Sequence, residues 1–330
     1  MQYRKLGKSD LQVPVVSFGA WAIGGWMWGG SDDDEAIRAI HCAIDHGVNC
    51  IDTAPIYGMG HSEEVVGKAI AGKRDEVIIA TKCCLRWDKA EGEHFFDTKD
   101  NEGNSRSVYR NLRKDSIIWE CEQSLRRLNV DVIDLLQCHW PDATTPLEET
   151  MEGLTQLQAE GKIRAIGVSN FTVDMIETCL KHGTVVSEQS KYNALERDLE
   201  NEIIPCCVKN DIGILAYCPI AQGLLTGKIT VDREFKQGDH RKNSPLYSQK
   251  NRRNVLEMLE KVQPIADAYS ITLGQLFIAW LNAQPGMASA LVGARNEAQV
   301  MENAAAGDIQ LREDELKTIR ELVEAVPPLS

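Results

Sequence analysis

The chain has 330 residues, enough for one large barrel or for two domains of ordinary size. Apolar residues make up 43% of the sequence and charged residues 26%, a composition that excludes a chain disordered throughout. The formal net charge of −13 argues against a general nucleic-acid or anionic-membrane surface, because the field of the whole protein repels phosphate. Any bound phosphate group must therefore be held by local cations.

The first residues and the cysteines predict a cytoplasmic protein with no membrane partner. The opening stretch, "MQYRKLGKSDLQVP", is polar where a signal peptide needs an apolar core, and the apolar run "LFIAWL" is too short to span a bilayer. Most of the ten cysteines lie inside apolar runs, where cysteine acts as a small hydrophobic residue. Two adjacent cysteine pairs form no CxxC motif, so we expect reduced thiols and no bound metal.

Apolar runs of strand length alternate with segments of helical period along the chain, after a short amino-terminal segment. The first helix has Asp32 to Asp34 near its positive end and stops at Gly47. In order, the predicted strand and helix pairs are "VVSFGAW" with "DDDEAIRAIHCAIDHG", "CIDTA" with "SEEVVGKAIAGK", "EVIIATK" with a segment ending "IIWECEQSLRRLN", "VIDLLQCHW" with "PLEETMEGLTQLQAEGK", "AIGVSN" with "TVDMIETCLKHG", "VVSEQSKYN" with "EIIPCCVKND", "GILAYCPI" with "VLEMLEKVQPIADAY", and "ASALVGA" with "EAQVMENAAAG".

These strands are continuously apolar rather than alternating, which is typical of parallel sheets covered on both faces. Eight such units predict an α/β protein with the (β/α)8 TIM barrel fold. The last segment, "REDELKTIRELVEAV", is typical of an extra amphipathic helix on the outside. No stretch rich in Pro, Gly or Ser marks a linker, so we expect a single barrel domain over residues 1–330.

A doubly wound sheet is the alternative fold, and it normally carries a glycine-rich phosphate loop after its first strand. The glycines of "FGAWAIGGWMWGG" do not have GxGxxG spacing. The segment "GLLTGK" is one residue short of a Walker A loop, and Ile229 occupies the required Ser/Thr position. The sequence therefore favours neither of these phosphate-binding folds.

Polar residues recur at the carboxyl ends of the predicted strands, which meet on the face where barrel active sites lie. Each residue alone has an ordinary structural interpretation: His139 as a buried core histidine, Lys82 as a rim lysine, Tyr57 as an interface aromatic. A polar residue at nearly every strand end favours one shared site. The strand-end residues are Asp52, Lys82, His139, Ser169 with Asn170, Gln189 and Tyr217.

A family resemblance rests on five segments in order: "GVNCIDTAPIYG", "IIATK", "DLLQCHWPD", "GKIRAIGVSNF" and "YCPIAQGLLTGK". Together they resemble the successive signatures of the aldo-keto reductase superfamily. "GARNEAQVMEN" and "GLLTGK" resemble the bacterial branch that includes potassium-channel β-subunit-like reductases. The resemblance implies a catalytic tetrad and a nicotinamide cofactor bound without a Rossmann fold; the tetrad is Asp52, Tyr57, Lys82 and His139.

The chemistry of carbonyl reduction accounts for these residue types independently. Hydride transfer builds negative charge on the carbonyl oxygen, so an acid must supply a proton, and Tyr57 is that acid. Lowering a tyrosine pKa from about 10 to about 7 requires roughly 4 kcal/mol of phenolate stabilisation. We expect Lys82 to supply much of it and Asp52 to hold Lys82 in place. His139 would lie beside the substrate oxygen, in a tautomer that the sequence does not give.

The same resemblance implies residues for NADP(H). Ser169, Asn170 and Gln189 would bind the nicotinamide carboxamide, and Tyr217 would stack on the ring. Arg295 is expected to grip an adenosine 2′-phosphate. The remaining cofactor candidates are the pyrophosphate loop from Pro219 through Gly223 to Lys228, Gly293 beside Arg295, and Gln299 and Asn303 near the adenine.

Five tryptophans follow strands and should face the site mouth. Trp21, Trp87 and Trp140 are the substrate-wall candidates, whereas Trp26 and Trp28 have the alternative of packing against each other. The polar segment 83–106 is expected to close as a loop over a hydroxylated ligand. These features favour sugar carbonyls and inosose-like cyclic ketones, with simple aromatic aldehydes as the alternative.

The leading hypothesis is a cytoplasmic NADPH-dependent reductase that reversibly converts aldehydes or ketones to alcohols and takes a small carbonyl compound as its partner. The alternative is a cofactor-binding regulatory subunit whose reductase activity is incidental. A metal-dependent barrel hydrolase is disfavoured, because only His139 and Asp52 among the strand-end residues are suitable ligands. The sequence does not predict the oligomeric state.

Overall fold

The computed structural model describes residues 1–329. Its strands, in chain order, are β1 (Tyr3–Lys5), β2 (Gln12–Pro14), β3 (Val16–Gly19), β4 (Cys50–Asp52), β5 (Ile78–Cys83), β6 (Leu85–Arg86), β7 (Glu93–Lys99), β8 (Ser105–Arg110), β9 (Ile133–Cys138), β10 (Ile163–Ser169), β11 (Ser187–Lys191), β12 (Gly213–Tyr217) and β13 (Met287–Gly293). Its helices are α1 (Asp33–Asp45), α2 (His61–Ala69), α3 (Lys114–Leu128), α4 (Leu147–Ala159), α5 (Val173–His182), α6 (Ile203–Asn210), α7 (Gln249–Ala268), α8 (Leu273–Asn282), α9 (Glu297–Ala305) and α10 (Glu313–Glu324).

Eight parallel strands close into a barrel in the order β3-β4-β5-β9-β10-β11-β12-β13, with β13 pairing back to β3. Every barrel strand coincides with one of the eight predicted apolar runs, so the (β/α)8 prediction is confirmed. The extra outer helix is confirmed as α10. The register places Lys82 beside Gln137 and Ser169 beside Gln189, which brings polar side chains together at the carboxyl end of the barrel.

The amino end of the barrel is covered by the β1–β2 hairpin, which the sequence left as an unassigned segment. Leu6, Leu11 and Val13 of this hairpin join the small apolar cluster inside the barrel. Gly7 has a φ of +50°, and a Cβ there would lie 2.7 Å from the carbonyl oxygen of Asp211. Only glycine permits this approach, so the hairpin seals one end of the barrel and leaves the carboxyl end open.

The segment expected as a closing polar loop is instead a three-stranded antiparallel sheet, β6-β8-β7. We call the β7–β8 pair the flanking hairpin. Its tip docks on the loop after β3, where the Asn101 amide donates to the carbonyl oxygen of Gly24 at 2.9 Å. The indole N–H of Trp26 donates to the Thr98 hydroxyl at 3.0 Å. The loop prediction was wrong because backbone pairing and this docking order the segment.

The connection between β12 and α7, residues 218–248, also crosses the open end. Asp239 forms an antiparallel bridge with Trp28 in the loop after β3. The backbone N–H of His240 donates to the carbonyl oxygen of Met27 at 3.1 Å. Helix α8, which follows α7, was not predicted from the sequence. Within residues 1–329 no helix combines the length and the apolar content needed to cross a membrane.

Candidate active site

A cavity of about 920 Å³ opens at the carboxyl end of the barrel. Asp52, at the end of β4, Tyr57, in the loop that follows β4, and His139, just after β9, line it. Lys82 lies behind this wall and is fully buried. The fold therefore brings the four predicted tetrad residues together.

The ammonium group of Lys82 has an acceptor for each of its three protons. Its Nζ lies 2.8 Å from Oδ2 of Asp52, 2.9 Å from the carbonyl oxygen of Thr53 and 3.4 Å from the hydroxyl of Tyr57. A buried ion pair is sustained only when its hydrogen-bonding groups are satisfied in this way. The buried carboxylate at the mouth of β4 therefore has its partner, and that partner reaches the tyrosine.

Two glutamine amides hold the second oxygen of Asp52. Nε2 of Gln189 donates to Oδ1 of Asp52 at 2.8 Å, and Nε2 of Gln137 donates to the same atom at 3.3 Å. Gln137 was missed from the sequence, although a polar residue within the apolar run "DLLQCHW" was the available signal. Gln189 also lines the cavity, so it contacts the tetrad as well as the surface expected to bind the cofactor.

The electrostatics of the tetrad correct one expectation. Burial and the nearby carboxylate of Asp52 hold the pKa of Tyr57 well above its usual value, whereas a pKa near neutrality was expected. Burial also lowers the pKa of Lys82, against the raising effect of Asp52. Burial and the Lys82 charge hold the pKa of His139 well below its usual value. At neutral pH the site therefore offers a protonated phenol and a neutral imidazole.

Asn170 organises the cavity beside the tetrad. Its backbone has a φ of +62°, a left-handed conformation that asparagine tolerates better than most residues. Its Nδ2 donates to the carbonyl oxygen of His139 at 3.1 Å and to the Ser169 hydroxyl at 3.0 Å. Its Oδ1 accepts from the Tyr217 hydroxyl at 2.9 Å. The side chain thus ties three strand ends together while it lines the cavity.

Glu188, on β11, is a buried carboxyl that the sequence analysis did not single out. Its Oε1 accepts from the backbone N–H of Asn170 at 3.2 Å and from the Ser190 hydroxyl. Burial raises the pKa of Glu188 to about 7. Its position indicates that it secures the left-handed turn at Asn170.

The loop expected to bind pyrophosphate lines the cavity through Pro219, Gly223 and Lys228. Two consecutive non-glycine residues in it, Ala221 and Gln222, have positive φ values of 46° and 49°. Such strained backbone is concentrated at functional loops. Nζ of Lys228 lies 2.7 Å from Glu302, a residue that the sequence analysis missed, so the lysine is paired in this arrangement.

Arg295 lies farther along the cavity, which Gly293, Gln299 and Asn303 also line. Its Nη2 donates to the carbonyl oxygen of Trp28 at 2.9 Å. Burial and a second guanidinium, Arg241, lower the pKa of Arg295. Arg241 is itself paired with Asp239 at 2.7 Å, so the guanidinium of Arg295 is the group that suits an anionic ligand such as the phosphates of a nicotinamide dinucleotide.

Four of the five tryptophans predicted at the site mouth line the cavity, and one does not. Trp21 lines the cavity and stacks on Tyr57 with ring centroids 6.2 Å apart. Trp140 lines it too. Trp26 and Trp28, for which mutual packing was the alternative prediction, also line the cavity. Trp87 does not belong to the lining, because β6 ends one residue before it and the chain turns away to the flanking hairpin. Phe95 and Phe96, which the sequence analysis missed, take its place in the wall.

Comparisons with known proteins agree with this geometry. The aldo/keto reductase family model matches residues 15–324. An NADH-specific methylglyoxal reductase of Escherichia coli (strain K12) is 39% identical over 331 residues, covering 97% of this chain and 98% of the relative. A probable voltage-gated potassium channel subunit beta of Arabidopsis thaliana is 34% identical over 327 residues, covering 94% and 92% of the two chains.

Among solved structures, the glycerol dehydrogenase AKR11B4 from Gluconobacter oxydans superposes with a TM-score of 0.89 at 37% identity. The match covers 99% of this chain and 96% of that one. Similarity therefore extends over nearly the whole barrel, and it includes both bacterial enzymes and plant channel subunits. The chain belongs to the aldo/keto reductase family.

Proposed function

We propose that this protein is an NADPH-dependent reductase that converts aldehydes or ketones to alcohols and works in both directions. The observation that carries the proposal is the position of Lys82, which lies 2.8 Å from Asp52 and 3.4 Å from the Tyr57 hydroxyl. A protonated phenol, a buried cation and a neutral imidazole at one cavity are the groups that protonate a carbonyl oxygen during reduction.

The tetrad residues have separate tasks in this reaction. Nicotinamide, when bound, supplies or accepts the hydride. Tyr57 donates its proton to the substrate oxygen, and Lys82 stabilises the phenolate that remains. Asp52 holds Lys82 in position. His139, whose ring centroid lies 5.9 Å from that of Tyr57, orients the substrate oxygen as a neutral hydrogen-bond donor. In the oxidation direction the Tyr57 phenolate takes the proton of the alcohol.

The position of Arg295 supports a preference for NADPH over NADH. A guanidinium holds a phosphate through two parallel hydrogen bonds, and Arg295 lines the end of the cavity expected to take the adenosine phosphate. The relative in Escherichia coli is named NADH-specific, so the preference needs its own measurement. Dissociation constants for NADPH and NADH, obtained from quenching of tryptophan fluorescence, provide it.

Two classes of carbonyl compound fit the proposal. Sugar and cyclic polyol carbonyls present C–H faces that pair with the indoles of Trp21 and Trp140. Aromatic aldehydes pair with the same faces through their rings. The proposal places the chain, as a single domain, in the cytoplasm. Nine of its ten free cysteines are buried thiols, which suit a reducing compartment.

Absorbance of the nicotinamide band tests the proposal directly. Purified protein, NADPH and a panel of aldehydes and ketones should give carbonyl-dependent oxidation of NADPH. The matched control is Tyr57→Phe, which keeps the aromatic ring and removes the acidic proton. We expect this variant to bind NADPH normally and to lose turnover. The proposal would be contradicted if the wild-type protein turned over none of the carbonyl compounds in the panel.

The second candidate function is a cofactor-binding regulatory subunit with incidental reductase activity. The observation in its favour is the 34% identity to a probable channel subunit beta of Arabidopsis thaliana. Tight NADPH binding together with negligible turnover across the whole panel is the result that would favour it.

A further inference from the structure

The flanking hairpin contains a β-bulge next to the cavity. His94 of β7 pairs with Tyr109 of β8, and the next pair joins Phe96 to Val108, so Phe95 is an extra residue with no partner. Bulges of this kind re-aim a side chain and are common beside active sites. The bulge therefore sets the direction of the Phe95 side chain, which makes this residue a candidate for a role in the adjacent site.

The bulge changes which side chains face the cavity. In a regular strand, consecutive side chains point to opposite faces of the sheet. Here Phe95 and Phe96 both line the cavity, whereas His94, Asp97 and Lys99 are exposed to solvent. The bulged strand thus turns these three polar side chains outward and two phenyl rings inward.

These phenyl rings belong to a continuous aromatic row that begins beside the tetrad. Trp140, which follows His139 in sequence, lies 5.4 Å from Phe95 between ring centroids. Phe95 lies 5.1 Å from Phe96, and Phe96 stacks on Trp26 at 6.1 Å. We call these four residues the hairpin row.

A second group of rings begins at the same place. Trp21 stacks on Tyr57, and Trp28 meets the edge of Trp21 with centroids 5.3 Å apart. Since the rings of Tyr57 and His139 are themselves in contact, both groups start where a carbonyl would be reduced. A substituent on that carbonyl would therefore lie against aromatic faces.

The hairpin row offers few hydrogen-bonding atoms to a ligand. The phenyl rings of Phe95 and Phe96 carry none, and the indole N–H of Trp26 donates to the Thr98 hydroxyl. The unpartnered indole N–H groups of Trp21 and Trp28 belong to the second group of rings. A ligand with several hydroxyl groups lying along the hairpin row would lose hydrogen bonds to water, at a cost of about tenfold or more in affinity for each unpaired group.

We propose that the bulge at Phe95 builds a specificity wall for carbonyl compounds with an aryl or similarly flat apolar substituent. The carbonyl lies at Tyr57 and His139, and the substituent lies along the hairpin row. This inference rests on the proposed reductase function. It selects aromatic aldehydes over the sugar and cyclic polyol carbonyls that the sequence favoured.

The test compares kcat/KM with NADPH for three aldehydes: benzaldehyde, the hydroxylated glyceraldehyde and the small reference propanal. Wild-type protein should favour benzaldehyde over glyceraldehyde by at least about tenfold. Phe95→Ala should lower kcat/KM for benzaldehyde by about tenfold, mainly through KM, and change that for propanal less than about threefold. Deletion of Phe95, which removes the unpaired residue, should have the same effect. His94→Ala, on the outward face of the same strand, is the matched control and should change neither value.

Each contrary outcome has a separate meaning. A wild-type preference for glyceraldehyde, or equal losses on benzaldehyde and propanal in Phe95→Ala, overturns the inference and leaves the reductase function standing. Absence of turnover on all three aldehydes overturns the reductase function and the inference with it. If the deletion variant fails to fold, the wild-type preference and Phe95→Ala still decide the inference.

Discussion

Replacing Lys82 by methionine should destabilise the fold as well as abolish activity. Lys82 is fully buried, and its cation is the direct partner of a carboxylate that is only 4% exposed. Methionine fills a similar space without charge or protons. Asp52 would then be held only by the amides of Gln137 and Gln189. A buried carboxylate without a cation is the costliest state of such a pair.

The expected loss in the free energy of unfolding is about 3–5 kcal/mol, the usual cost of removing one partner of a buried ion pair. The double variant Lys82→Met with Asp52→Asn removes both charges and should recover most of this stability. It should not recover turnover, because the cation beside Tyr57 is absent from both variants. Comparing the single and the double variant therefore separates the effect of Lys82 on stability from its effect on catalysis.

Urea denaturation measures the stabilities, and nicotinamide absorbance measures kcat. The control is Lys191→Met, which removes a lysine from another barrel strand, β11. Its 2.6 Å pair with Glu196 is partly exposed to solvent. That variant should change stability by less than about 1 kcal/mol. The reasoning is refuted if Lys82→Met costs no more than this control, or if the double variant is no more stable than Lys82→Met alone.

Four further predictions concern single groups. Tyr57→Phe should lower kcat by at least about a hundredfold with an unchanged dissociation constant for NADPH, and retained turnover would remove Tyr57 from the role of acid. Arg295→Ala should abolish a preference for NADPH over NADH of at least about tenfold, and an unchanged ratio of dissociation constants would show that the 2′-phosphate is read elsewhere. Because the pKa of His139 lies well below its usual value, kcat/KM should show no histidine ionisation between about pH 6 and pH 8, which a pH–rate profile checks. Burial raises the pKa of Glu188 from 4.5 to about 7, so the native state binds this proton more tightly than the unfolded state and stability falls as pH rises through that window. Glu188→Gln should therefore reduce the difference in unfolding free energy between pH 5 and pH 8 by about 2.5 kcal/mol, and an unchanged difference would contradict this.

The barrel was predictable from sequence because its strands are buried on both faces. Such strands appear as uninterrupted apolar runs, and each polar residue that closes a run, such as Asp52 or His139, then marks the open end. The flanking hairpin gave no comparable signal. Its strand "EHFFDTK" has two consecutive phenylalanines that break the polar-apolar alternation, and only pairing with β8 shows that one of them is a bulge.

Other features of the site depend on distances that a sequence does not contain. The protonation state of Tyr57 follows from how deeply it is buried and how close Asp52 lies, and the residue types alone suggested the opposite direction. Arg241 reaches the cavity from the long β12–α7 connection, and Glu302 meets Lys228 across 74 positions of chain. Trp87 follows a tetrad residue closely in sequence, yet the chain carries it away from the cavity.

The hydrogen bond between Arg295 and the carbonyl oxygen of Trp28 joins the two halves of the cavity. Arg295 belongs to the end that fits phosphates, and Trp28 belongs to the aromatic wall. A guanidinium has five N–H donors, so it can hold the wall and an anion at once. Whatever an anion at Arg295 does to the affinity for a ligand at the wall, that ligand does to the anion by the same factor. Any coupling that this hydrogen bond carries should therefore be lost, in both directions and by the same factor, when Arg295 is replaced by alanine.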